Sequence, residues 1–296
     1  MNLRDLRYFV ALADTRHFGK AAERSFVSQP TLSAQIKKLE TYLGVQLIER
    51  QPRKVTLTET GAKILPLARR ILQESDEIVS MARNEHDPLS GKLKVALIPT
   101  IGPYLLPLAA RKLRKQLPRL KLMLYEYQTQ PLLEKLRAGD VDLGILALPV
   151  PLDGLEARPL YDENFTLAVP TNSPLAKKTS VKVDDLNGET LLLLEDGHCL
   201  RDQALDVCSR IDVKESEDYR ATSLETLRQM VAAGLGITLL PELATRGPFG
   251  TGQGLLVKQF ARPVPSRNVG AVWRKSTART EAITAVCDVI HSSMAP

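Results

Sequence analysis

FGKAAERSFVSQPTLSAQIKKLETYLG, residues 18–44, decides how the N-terminal part of this chain folds. Phe18 to Arg24 reads as a short helix in which the small Ala21 and Ala22 let another helix come close. Ser28 has the character of an N-cap, and Pro30 stands in the following first turn, where its missing N–H costs nothing. Leu32, Ile36 and Leu39 then recur at helical spacing as far as Tyr42, and Gly44 is a left-handed stop. Upstream, Leu6, Phe9, Val10 and Ala13 mark a first helix over residues 3–15. A helix of seven residues, a tight turn and a longer helix meet the requirement of a helix-turn-helix.

In that motif the first turn of the longer helix enters the major groove of DNA, where short polar groups meet base edges or phosphates. Gln29, Thr31, Ser33 and Gln35 fit that task, with Pro30 shaping the helix entry. Lys37 and Lys38 are placed for phosphate, as are Arg50, Arg53 and Lys54, which fall on a turn between two short strands, a wing. Charge agrees with this. Residues 1–70 carry 13 Lys and Arg against 6 Asp and Glu, whereas residues 71–296 carry 27 against 28. A small basic unit on a near-neutral body predicts polyanion binding at one end and a different task at the other. The competing reading of the unit is a trihelical protein-docking module.

Thr58 and Glu59 open a further helix. Ile64, Ala68, Ile71, Ser75, Ile78 and Ala82 follow at alternating steps of four and three, flanked by Leu65, Leu72 and Val79. Such a seam predicts pairing with a second chain, because a helix projecting between units has nothing of its own chain to cover it. The alternative is a core helix lying on its own body. Pro66 should kink the first half, and the cluster at residues 87–91 marks a linker.

After Gly91 the pattern changes. Strands at Leu93–Ile98, Leu120–Tyr127 and Leu143–Leu148 alternate with helices at Leu105–Leu117 and Pro131–Ala138, the order of a parallel α/β unit. A second unit of that class runs from about Phe165 through Leu191–Leu194 to Gly236–Pro241, and Val269–Trp273 reads as a strand returning to the first. The expected fold is therefore α plus α/β. It comprises a winged helix-turn-helix over 1–58, a linker helix over 59–90, and a two-lobed body over 91–296. Lobe I spans about 91–162 and 269–296, lobe II about 163–268, with a cleft between them of the kind that binds ligands. No apolar signal region opens the chain, and no run approaches the ~18 apolar residues of a membrane span, so a soluble cytoplasmic protein without a membrane partner is expected.

EDGHCLRDQALDVC, residues 195–208, holds the chemistry of the second lobe. Asp196-Gly197 reads as a turn feeding a helix, which puts Cys199 in the first turn, where free amides and the positive end of the helix dipole favour a thiolate. If the stretch is helical, Cys199 and Cys208 lie ~13.5 Å apart at ~1.5 Å per residue, and a disulfide needs roughly 4.4–6.8 Å between Cα atoms. Bonding these sulfurs requires the helix to come apart. The bland alternative is a small apolar core residue, the reading given to Cys287 in its apolar helix. No Cys-x-x-Cys or His-x-x-x-His spacing, phosphate loop or Gly-x-Ser-x-Gly motif occurs, so neither a metal nor a cofactor is expected.

GHCLRDQA at 197–204 resembles the redox segment of the peroxide-sensing members of the LysR-type transcriptional regulators. The resemblance runs from Asn2 to about Arg274 and takes in SQPTLS (28–33), PTIGPYLLP (99–107) and RATSLETLR (220–228). It implies a periplasmic-binding-protein-like effector domain that senses hydrogen peroxide by oxidation of Cys199 and a reversible disulfide with the resolving Cys208, controlling antioxidant genes. Thr100, Thr129 and Arg267 match positions that contact peroxide, beside His198 and Gln203. The two threonine hydroxyls would orient the peroxide and Arg267 would stabilise negative charge. The implied partners are double-stranded DNA at pseudo-palindromic promoter sites, RNA polymerase, a glutaredoxin- or thioredoxin-type reductant, and further copies of the chain as a dimer of dimers. Two other functions compete: a LysR-type regulator with a small organic effector in the cleft, and a thiol peroxidase that carries a DNA-binding domain. The charge asymmetry and the helix-turn-helix favour a regulator over an enzyme, and the paired cysteines with His198 favour the sensor.

Overall fold

The computed structural model describes residues 1–51, 54–84, 87–246 and 254–294, and the chain divides into two compact units, Met1–Asp87 and Pro88–Pro296. In the first, helix α1 (Leu3–Thr15) starts from a reciprocal cap between Asn2 and Asp5, each side chain accepting the other's amide. Helix α2 (Phe18–Arg24) is followed by α3 (Gln29–Leu43), which is capped by Ser28, carries Pro30 in its first turn and ends at Gly44 with φ +68. Strands β1 (Ile48–Gln51) and β2 (Lys54–Leu57) pair antiparallel as the wing, and α4 (Glu59–Asn84) completes the unit. Phe9, Leu12, Ala21, Leu32, Ile36 and Leu47 are among the side chains fully enclosed in its core. Any Cβ at Gly61 would strike the Leu47 carbonyl, so glycine is what lets α4 start against the wing.

The seam of α4 is divided between two fates. Ile64, Leu65, Ala68 and Leu72 pack on the core of their own unit, and Arg69 and Asp76 form ion pairs with Asp14 and Arg7 of α1. The expectation that its own chain leaves this helix uncovered is therefore corrected for the first half. There α1 offers a matching apolar stripe, and burial against the nearest amphipathic helix is the direct way to remove that face from water. Leu67, Ile71, Ile78 and Val79 remain exposed. The side chain of Ala82 lies outside the described residues.

In the second unit, β3 (Gly91–Leu97), β4 (Leu120–Glu126) and β5 (Leu143–Leu148) run parallel in the order β4-β3-β5, with α5 (Gly102–Gln116) and α6 (Thr129–Ala138) as their crossovers. Strand β6 (Leu155–Pro170) comes next, and its first half pairs antiparallel with β11 (Ser266–Arg274), which lies between it and β5. Beyond Phe165 the same strand pairs with β9 (Thr238–Pro241) and β10 (Leu255–Gln259) in the other lobe. There β7 (Thr190–Leu194) and β8 (Lys214–Ala221) run parallel, and Leu191 bridges to Ile237. Helices α7 (Cys199–Cys208) and α8 (Leu224–Ala232) cover this lobe, and α9 (Thr280–Met294) returns to pack on α5. Each lobe has its own apolar core.

Phe165 is where pairing in the second lobe begins, but it is not where its strand begins. The strand begins ten residues earlier, at Leu155, and runs through both lobes. Glu156, Arg158, Pro159, Asp162 and Glu163 hide it from any reading by apolar alternation.

Candidate functional site

On the N-terminal unit, α3 presents Gln29, Pro30, Thr31, Lys37 and Lys38 to solvent, while Ser33 and Gln35 are half-buried. Ser28 fixes the start of the helix, its hydroxyl accepting the Thr31 amide at 3.3 Å and lying 2.7 Å from the Thr31 hydroxyl. In the wing, Arg50 stands opposite Val55 and Lys54 opposite Gln51. Their side chains, and Arg53 altogether, lie outside the described residues.

In the second unit, parallel strands deliver the helices that follow them to one edge of each sheet. β3 leads through Thr100 into α5, β4 leads into α6 at Thr129, and β7 leads through Asp196-Gly197 into α7 at Cys199. β11 enters the same edge of lobe I at Arg267, since its neighbour Asn268 is in register with Leu148, the last residue of β5. Edges of this kind are where α/β proteins hold ligands.

Cys199 is half-buried and touches the core of lobe I although its helix belongs to lobe II. Cys208 closes the same unbroken helix, 2% exposed, and burial pushes its thiol pKa up. Nine helical steps separate them, about 13.5 Å. His198, 5% exposed, is the N-cap of α7 but makes no side-chain capping bond; its Nε2 lies 3.9 Å from Glu195 Oε1. Burial lowers its pKa below the ordinary histidine value, with Glu195 and Glu126 pushing weakly the other way, so at pH 7 it is a neutral hydrogen-bonding ring. Gly197 has φ +94, and a Cβ there would come within 2.8 Å of Gln128 Oε1, so this turn and the start of α6 are in close contact.

Arg267 is 4% exposed and fully engaged. Its Nε and Nη2 donate to Glu163 Oε2 at 2.9 and 2.7 Å, its Nη1 to Thr100 Oγ1 at 3.0 Å, and its Nη2 also to the Thr100 carbonyl at 3.0 Å. Its charge, expected to face a reacting anion, is instead matched by a buried carboxylate. Thr100 Oγ1 accepts from the guanidinium and so has its own proton left to donate. The Thr129 hydroxyl and the Gln203 side-chain oxygen are buried without a hydrogen-bond partner among the described residues. Two enclosed polar groups without partners suit a small hydrogen-bonding molecule.

Sequence reasoning missed Glu163, which also accepts the Leu243 amide at 3.0 Å. No local signal marks it, because its partner lies 104 residues away. It also missed a ring of charges beside α7. Arg201 contacts Asp196 at 3.0 Å and Glu215 at 2.7 Å, and Arg220 contacts the same two carboxylates at 3.1 and 3.7 Å. Cys287 is fully buried in lobe I with its thiol pKa pushed up to about 12. Among the described residues no cluster of His, Cys, Asp and Glu could hold a metal, and no helix is long and apolar enough to cross a membrane.

Known proteins resemble the chain from end to end. The bacterial regulatory helix-turn-helix protein, lysR family, matches residues 3–62, and the LysR substrate binding domain matches residues 86–295. The DNA-binding transcriptional dual regulator OxyR of Escherichia coli K12 is 45% identical over 294 residues, 99% of this chain and 96% of that protein. A full-length OxyR variant from Pseudomonas aeruginosa superposes with a TM-score of 0.80 at 41% identity, covering 98% of this chain and 94% of that one. A mutant OxyR from Corynebacterium glutamicum with hydrogen peroxide bound gives a TM-score of 0.69 at 38% identity, covering 99% and 92%.

Proposed function

Because the chain belongs to the LysR family of bacterial transcriptional regulators, we propose that it is a DNA-binding regulator of oxidative-stress genes that senses hydrogen peroxide through Cys199. One observation carries this reading: two cysteines stand at opposite ends of one intact helix, the first at its positive end, and the same helix carries the buried, unpartnered Gln203 side-chain oxygen.

In the proposed sequence the Cys199 thiolate attacks one oxygen of the peroxide. The S–O bond forms as the O–O bond breaks, leaving a sulfenic acid and a hydroxide that takes up a proton to become water. Thr100, positioned by Arg267, donates to the peroxide; Thr129 and Gln203 supply the other contacts, and neutral His198 is a further hydrogen-bonding group. Cys208 then attacks the sulfenic sulfur, water leaves, and the disulfide closes once α7 has unwound. A dithiol of the glutaredoxin or thioredoxin type returns two electrons and restores both thiols. Unwinding changes the surface of lobe II, through which copies of the chain in a dimer of dimers reset the spacing of their DNA-binding units and the approach of RNA polymerase. Gln29, Thr31, Ser33 and Gln35 read the site, and Lys37, Arg50, Arg53 and Lys54 hold phosphate.

Footprinting on a bound promoter before and after one equivalent of peroxide tests the reading. Cys199→Ser should give a single footprint under both conditions while the untreated pattern stays that of the unmodified chain. A peroxide-dependent change in that variant would remove Cys199 from the sensor.

A further inference from the structure

Residues 88–125 carry 8 Lys and Arg and no Asp or Glu, whereas residues 126–296 carry 18 against 23. The fold gathers these cations at one corner of lobe I. The last turns of α5 turn Arg111, Arg114 and Lys115 to solvent, opposite the buried Leu113 and Leu117. Lys92 and Lys121 are register partners on neighbouring parallel strands, with Lys94 two residues on, and all three are exposed. None of these six has an ionic partner among the described residues. Three other cations of the same unit, spread over its surface, each have a carboxylate partner: Lys135 with Asp140, Arg158 with Asp288 and Lys178 with Asp185.

Folding does not ask for this arrangement. Like charges opposite each other on adjacent strands are destabilising, and unpaired cations in one place repel. Protection of an exposed sheet edge would account for Lys121 on the edge strand β4, but not for Lys92 and Lys94 on the interior strand β3, nor for the helix. The corner is also not part of the redox pocket: β3 and β4 begin here and deliver Thr100 and Thr129 at their far ends.

We propose that this corner is a second contact for the phosphate backbone of duplex DNA, engaging the sequence that flanks the site held by the N-terminal unit. The proposal rests on the regulator reading. Exposed, flexible cations that alternate with no aromatic or buried polar group suit a polyanion held by charge, not a small anion held by shape. Because both units belong to one chain, docking of the helix-turn-helix makes any contact of the second unit with the same duplex intramolecular, so a weak one counts. The corner adds affinity and salt dependence without adding sequence preference.

The test uses the full chain and two duplexes that share one site selected from a random pool. One duplex ends at the site, and the other extends beyond it on both sides by about two helical turns, at ~10 base pairs each. Arg111→Ser/Arg114→Ser/Lys115→Ser is the first variant, and Lys92→Ser/Lys94→Ser, on a different element, is the second. Titrations by fluorescence anisotropy between about 50 and 200 mM salt give affinity and its logarithmic salt slope. On the extended duplex, each variant should bind about tenfold more weakly at the low-salt end, with a slope flatter by about 2, the loss of two or three phosphate contacts. On the short duplex both should match the unmodified chain. Equal effects on the two duplexes, or no effect on either, overturn the second contact. Failure of the unmodified chain to bind even the short duplex overturns the regulator reading instead.

Discussion

Glu163 is the residue on which the polar side of the proposed peroxide site depends. It is 4% exposed and its charge is balanced by Arg267, while its other oxygen holds the Leu243 amide. Removing one member of a buried pair strands the other, at a cost of about 3–5 kcal/mol, whereas replacing both by apolar groups of similar size is often close to neutral. Glu163→Gln should therefore lower the unfolding free energy measured by urea titration by that amount, and Glu163→Leu with Arg267→Met should recover most of it. Peroxide oxidation of Cys199 should stay slow in the double variant, because nothing then holds the Thr100 hydroxyl. A single variant within about 1 kcal/mol of the unmodified chain would show the pair to be dispensable. The two sides of this pocket differ in how legible they are from sequence. Cys199, His198 and Gln203 lie within five residues and are read together from a turn and a helix start. Thr100, Thr129 and Arg267 come from three separate strand ends, so only the resemblance drew them in, and Glu163 escaped altogether.

At the scale of elements, α7 is held in its thiol form by more than its own ladder. Arg201 leaves its first turn to meet Asp196 and Glu215, and Arg220 on β8 closes the ring. Unwinding α7 moves Arg201, so the ring favours the reduced conformer alone. Asp196 is mostly exposed, and such networks contribute about 1 kcal/mol at most in water. Glu215→Gln should accordingly move the midpoint of the Cys199–Cys208 couple about 20 mV more negative, since 30 mV corresponds to about 1.4 kcal/mol. Titration against a glutathione buffer measures this, and a midpoint that is unmoved or less negative removes the ring from the switch. Strand β8, which carries Glu215 and Arg220, was not read from the sequence. KESEDYRA has no apolar alternation, because it pairs with only one neighbour, β7, among the described residues. The helices at residues 3–15, 18–24 and 29–43 were legible because caps and stops stand at their ends and each has one apolar stripe.

For the whole molecule, the question is how one chain meets the next. The seam of α4 predicts a partner for the entire helix, and α1 takes its first half; Ile78 and Val79, 67% and 48% exposed, are where a second copy is expected to pack. A glutamate in place of a buried isoleucine at a twofold contact acts twice, once on each copy. Ile78→Glu should weaken self-association at least about tenfold, on the scale of 1.5–3 kcal/mol for one buried isoleucine, read by sedimentation equilibrium. An unchanged assembly would place the contact elsewhere. What passes from the sensing lobe to such contacts is limited by β6. At the waist the Phe165 amide donates to the Pro265 carbonyl at 2.8 Å, and the strand continues from β11 on one side to β9 and β10 on the other. The lobes thus share one girder, each half of it bonded within its own lobe, and moving one lobe against the other bends it at this waist. A trigger of two oxygen atoms suits such a body, since it need not be large enough to draw two jaws together. It has only to let one short coil of the outer skin slip, and leave the frame as it stands.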